Sequence, residues 1–209
     1  MKRYPTTPIW LKLAIAIVLT SVVGWWALDR ADRAGNQHRL AAIASGIAGR
    51  DVQVHCPGPI GRALRQDQLE GSVNFDADGR PAHETKLRTM TCAELDALAE
   101  GRRQKELECT ERAGILCGRH GKELAVAVDV LTHESWHMHG IQDEARTECN
   151  SLQTMAGTAM ALGATSGQAA ALARGQLAES YPLMPDHYRS SQCADGGEMD
   201  LRPDDTRWP

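Results

Sequence analysis

The chain has 209 residues, with 23 Lys and Arg against 27 Asp and Glu for a formal net charge of −4 at pH 7. That balance carries no basic footprint for nucleic acid, and the length suits one main folded domain. Five Trp, three Tyr and one Phe leave a core that must be largely aliphatic and alanine-rich.

Leu13 to Leu28 runs without a charge, and Ile9 to Leu11 extend it past Lys12, whose long stem can reach the interface. About twenty such residues span a bilayer. Residues 9–28 are therefore expected to form a transmembrane anchor after a short cytoplasmic N-terminus, residues 1–8. Lys2, Arg3 and Lys12 mark the cytoplasmic side, and Trp10, Trp25 and Trp26 sit where aromatic belts form. A removable signal peptide begins in the same way but needs small residues at both the third and first positions before its cut. Ala27 has Trp25 two before it and Ala34 has Asp32, so the anchor is favoured. Everything beyond it would be extracytoplasmic, at a cell membrane crossed once.

Residues 29–50, charged and alanine-rich, read as a juxtamembrane linker or helix ahead of a domain over 51–209. All six cysteines, at 56, 92, 109, 117, 149 and 193, fall in that domain. An even count in a small exported domain predicts up to three disulfides, with fifteen connectivities open. Val52 and Val54 alternate with polar residues as in a short strand, stopped by Pro57-Gly58-Pro59. Gly71 to Phe75 and Ala82 to Leu87 flank Asp76-Ala77-Asp78-Gly79-Arg80-Pro81, a hairpin signal. Thr91-Cys92-Ala93-Glu94 has capping-box spacing, which predicts a helix from Cys92 to Glu100.

After a break over Gly114 to Gly121 comes the most informative stretch. Glu123 to His139 contains neither Gly nor Pro, and Val126, Val130, His133 and His137 fall on one helical stripe. His133-Glu134-Ser135-Trp136-His137 is an H-E-x-x-H pattern. Residues four apart share a helix face, so the two imidazoles can grip one divalent ion while Glu134 flanks it and takes a proton from water. Gly140 ends this helix and Asp143 can cap the next, on which Glu144, Glu148, Leu152, Met155, Ala159 and Leu162 share a stripe. Two carboxylates on a face due for burial call for compensating charge, which a metal and a metal-bound histidine would supply. Ser166 is expected to cap a third helix running to Glu179, followed by an irregular tail from Tyr181.

His133-Glu134-x-x-His137 followed by Asp143-Glu144-Ala145-Arg146-Thr147-Glu148 resembles the gluzincin class of zinc metallopeptidases, over about sixteen residues. The resemblance implies zinc as cofactor, His133, His137 and Glu144 as metal ligands, Glu134 as general base, and Glu148 as the carboxylate orienting a ligand histidine. It also implies a mainly helical α+β fold, a zincin-like helix pair beside a small hairpin or sheet. Only six residues separate His137 from Glu144, which is short for that class and demands a tight antiparallel pair. The same stretch read as H-E-x-x-H-x-x-G-x-x-D, with Tyr181-Pro182-Leu183-Met184-Pro185 further on, resembles the metzincins and would make Asp143 the third ligand. The expected function is that of a membrane-anchored zinc hydrolase acting on peptides or proteins, with His187 or Tyr188 as oxyanion donor and a strand edge of the hairpin for the substrate. The alternative is a non-catalytic, disulfide-stabilised surface module whose metal site is structural or vestigial.

Overall fold

The structure, a computed structural model, describes residues 9–57, 71–205 and 208–209, apart from the side chains of residues 9, 11–13 and 25–33. The N-terminal stretch 1–8 and the Gly58-Pro59 stop lie outside them. Residues 1–36 group as one unit and 37–209 as another. In the first unit helix α1 begins, spanning Ile9–Ala48 as a whole. Among the described residues no helix is long and apolar enough to cross a membrane. Of the expected anchor, the side chains of residues 9, 11–13 and 25–28 lie outside the description.

In the second unit the end of α1 supplies Leu40, Ala44 and Ala48 to the core, a spacing of four that keeps them on one face. Among the described residues five further α-helices follow: α2 (Thr89–Ala99), α3 (Gln104–Ala113), α4 (Gly118–His139), α5 (Glu144–Ala161) and α6 (Ser166–Gly175). The fold is mainly helical, with one small sheet whose strands β1 (Gln53–His55) and β2 (Glu84–Lys86) are parallel. The expected hairpin is therefore only partly formed. Its reversal exists, with Asp76 Oδ1 accepting from the Asp78 and Arg80 amides and Gly79 at φ 75°. Beyond the Phe75–Pro81 bridge the arms keep two backbone contacts, Ala82 N to Asn74 O at 2.8 Å and Lys86 N to Ser72 O at 3.5 Å, and Thr85 Oγ1 donates to Ser72 O at 3.0 Å. Alternate backbone groups of β2 turn the other way: Leu87 N donates to His55 O and Gln53 N to His83 O. β2 thus has β1 on one side and the 72–75 arm on the other.

Two caps differ in detail from expectation. α2 starts at Thr89 with Arg88 as its cap residue, and no Thr91–Glu94 box forms. Glu94 is buried instead against Arg103, whose Nε and Nη2 lie 2.6 and 2.7 Å from its oxygens, since a bidentate charged pair outweighs one amide cap. α6 is capped by Thr165, one residue before Ser166, in a complete box with Gln168. After Gly175 it widens into a π turn, Gln176–Ser180.

The six cysteines pair as Cys56–Cys92, Cys109–Cys117 and Cys149–Cys193. Three such bonds suit an oxidising, extracytoplasmic compartment. The first ties β1 to α2, the second holds the turn into α4, and the third fastens the tail to α5. Gln153 on α5 grips that tail as well, donating to Met199 O and accepting from Leu201 N.

Candidate metal centre

α4 and α5 are joined by four residues, Gly140 to Asp143. Gly140, at φ 117°, closes the first helix, and Asp143 opens the second by accepting from Arg146 N at 2.8 Å. So short a link turns the chain straight back. His137 then faces Glu144, His133 faces Glu148, and Asp129 faces Ser151, a ladder whose numbers run in opposite directions as in an antiparallel pair. Thr132 to Thr158 and Trp136 to Thr154 hydrogen bonds lock the same interface.

Three ligand atoms converge there. His133 Nε2 lies 3.0 Å from His137 Nε2 and 3.1 Å from Glu144 Oε2, and His137 Nε2 lies 3.2 Å from the same oxygen. The other ring nitrogens identify the tautomers. A carbonyl oxygen only accepts, so His137 Nδ1, 2.6 Å from Ile141 O, carries a proton. His133 Nδ1, 2.8 Å from Glu148 Oε2, donates likewise. Both Nε2 atoms are left with lone pairs aimed at one point together with a carboxylate oxygen. Three such donors this close repel unless a positive charge lies among them, and tetrahedral zinc at about 2.0–2.1 Å from each would set them about 3.3 Å apart. The residues fit a zinc-like cation.

Without a metal, the same demand falls on a proton. Burial works against the charged form of His133, but the hydrogen bonds it donates to Glu144 and Glu148 overcome it and raise its pKa to about 10. His137 is depressed, by burial and by the charge on His133. Glu144 is held below the usual carboxylate range, chiefly by its hydrogen bond to His133.

Glu134 is buried beside the triad, with Oε2 lacking a hydrogen-bond partner among the described residues. Burial raises its pKa to about 7, with His133 opposing and Glu144 adding to the shift, so it is poised to exchange protons near neutrality. Gly71 covers it. A Cβ at that position would lie 2.6 Å from Glu134 Cγ and Oε1, so only glycine lets the backbone pass. Phe75, on the same arm, meets His137 edge-on at 5.9 Å between ring centroids. Arg50 ties the far side of the reversal to the end of α4 by donating to Met138 O, Pro81 O and Ala82 O.

Of the residues singled out from sequence, His133, His137, Glu144, Glu134 and Glu148 come together. Asp143 does not join the converging atoms and serves as the α5 cap. Tyr188 is drawn in, its ring 5.7 Å from that of His133, and its hydroxyl pKa is raised by burial and then by Glu144, Glu134 and Glu148. His187 is exposed and stacks on Tyr188 instead. Gly71, Arg50, Asp129 and Gln176 went unnoticed in the sequence, although Asp129 stands four residues before His133 and so on its face. Buried Asp129 accepts from Ser151 Oγ and Gln176 Nε2, and burial followed by the nearby Glu148 charge pushes its pKa well up. A second set of clustered ligands, Glu94, His120 and Glu123, is already neutralised by Arg103 and Arg119.

No protein-family profile, curated protein or solved structure matches this chain.

Proposed function

We propose that the chain is a zinc-dependent hydrolase, of gluzincin-like design, that cleaves peptide bonds outside the cytoplasm while anchored by residues 9–28. The observation that carries the reading is the convergence of His133 Nε2, His137 Nε2 and Glu144 Oε2 within 3.0–3.2 Å, flanked by a buried carboxylate that is not one of the three. Anchoring is supported by α1, where Ile15, Ile17, Val18, Leu19, Val22 and Val23 are all exposed. Such an all-round apolar surface suits lipid.

Zinc at the triad would polarise a carbonyl and acidify water. The protein's own residues would do the rest. Glu134 accepts the proton of the attacking water and returns it to the leaving amine. Glu148 holds the His133 ring in the tautomer that leaves Nε2 free. Tyr188 is the candidate donor to the developing oxyanion, a role for which His187 is too exposed. The arm 71–75 borders the triad on the side of Glu134 and gives an extended peptide a backbone to lie along.

A structural metal site would be expected to close with a fourth protein ligand, and three described residues contribute here. The test is metal content of the purified protein together with Glu134→Gln. Wild type should bind about one zinc and hydrolyse members of a broad peptide library. The variant should keep zinc and lose at least about a hundredfold in rate. Zinc-loaded wild type that cleaves no peptide would support the surface-module alternative, and unchanged turnover in the variant would overturn the role of Glu134.

A further inference from the structure

Beside His133 and Glu134 lies a cavity of about 630 Å³, which the proposed hydrolysis leaves unused. Its walls are apolar, from Val126 and Val130 on α4 and Leu183, Met184 and Pro185 in the tail. Its polar lining comes from His133, Glu134, Ser180 and Tyr188 near the mouth and from three acidic or amide side chains deeper in. Asp129, Glu148 and Gln176 line it, and none of the described lining residues is Lys or Arg. Glu148 Oε1 and Gln176 Oε1 are buried acceptors with no hydrogen-bond partner among the described residues. The Asp129 carboxylate beside them receives only two hydrogen bonds, from Ser151 Oγ at 2.6 Å and Gln176 Nε2 at 2.8 Å. Native interiors rarely leave acceptors unmet, and one that does so inside an open cavity is matched by a donor from outside.

We propose that this cavity is the specificity pocket of the site, taking a substrate side chain with an apolar stem and a cationic tip, arginine before lysine. The inference rests on the peptidase reading for its link to catalysis. The stem would lie along Val126 and Val130, where methylenes replace water on an apolar wall. The tip would meet oxygens from three residues. A guanidinium, with five donors in a planar fork, serves several acceptors at once, whereas an ammonium offers three from a point. With Glu148 at the floor and no Lys or Arg among the described lining residues, the cavity favours a cation over a neutral donor, and an acidic side chain would meet like charge. A purely aliphatic side chain would fill the walls but leave Glu148 Oε1 and Gln176 Oε1 unpaired.

Binding and turnover can be read separately. Full-length, zinc-loaded wild type in detergent is titrated calorimetrically with two hydroxamates that differ only in an arginine or a norleucine side chain. The side chain is offered on each flank of the chelating group. The arginine compound should bind at least about tenfold more tightly on one flank, and Gln176→Leu should shrink that ratio. Equal binding, tighter binding of norleucine, or no binding of either compound overturns the pocket assignment whether or not peptides are cleaved. Arginine preference in a protein that hydrolyses no peptide would leave the pocket standing and remove the peptidase reading. Cleavage of the library without preference for Arg or Lys beside the cut bond would do the reverse.

Discussion

On the proposed reading zinc and a proton would compete for one atom, His133 Nε2, and the competition has a calculable slope. In the metal-free protein His133 stays protonated up to about pH 10, because Glu144 and Glu148 outweigh the effect of burial. Metal binding must remove that proton at any lower pH. At pH 7 the removal spans about three pH units, or about 4 kcal/mol at 1.36 kcal/mol per unit. Affinity at pH 7 should therefore lie about a thousandfold below its high-pH limit, with Kd falling about tenfold per unit between pH 6 and 8. His137 adds less there because its pKa is depressed. Glu134, at about 7, adds part of a second proton towards pH 6. The stability of the metal-free fold runs the opposite way. A histidine whose folded pKa is raised contributes fully below its unfolded value near 6.5 and loses that contribution as pH rises through about 10. Competition with a chromophoric chelator at pH 6, 7 and 8 gives the slope. Calorimetry at pH 8 in buffers of different ionisation enthalpy counts the protons, with about one expected. A flat affinity, or zinc uptake without proton release, would refute the assignment of His133 Nε2 as a ligand atom.

Other residues make separable predictions. Glu148→Ala should weaken zinc binding about ten- to a hundredfold through the lost His133 Nδ1 partner, against a larger loss for Glu144→Ala, measured in the same chelator assay; the reverse order would exchange their roles. Gly71→Ala should leave zinc affinity within about twofold but lower kcat at least about tenfold, because the new Cβ displaces Glu134; wild-type kcat would show that the arm simply moves aside. Asp129, whose folded pKa is raised, makes the protein less stable as pH climbs above the unfolded value near 3.9. Asp129→Asn should flatten that dependence between pH 4 and 7 in thermal melts, since an amide there can donate to Gln176 Oε1 once Gln176 turns. Cys149→Ser with Cys193→Ser opens a span of 44 residues, for which loop entropy gives about 4 kcal/mol. A clear fall in Tm is expected, and an unchanged Tm would mean that Gln153 alone holds the tail.

What the sequence discloses about this site follows the reach of its local rules. His133, His137, Glu144 and Glu148 could be read because each lies on a helix whose period is 3.6 and whose ends are marked by Gly140 and Asp143. Two adjacent helices with so short a link have almost one way to pack. Asp143 was harder: its side chain suits a cap or a ligand equally on chemistry, and only the 2.8 Å bond to Arg146 N separates the two uses. The hairpin signal at Asp76 to Gly79 correctly marked a reversal, because turn residues act over four positions. It said nothing about β1 arriving from the far side of β2, which depends on residues some thirty positions apart. The same limit hid Gly71. A glycine without positive φ has no local reason to be glycine, and its reason here is the Glu134 carboxylate, which reaches it only in the folded chain. Asp129 lies between these cases. Its place four residues before His133 put it on the metal-bearing face, yet a lone carboxylate there looked like any helix residue until Ser151 and Gln176, from two other elements, closed around it. The residues of the candidate metal centre are thus set by helical period, whereas the polar residues lining the cavity beside it come from α4, α5 and the π turn after α6, and only tertiary packing assembles them.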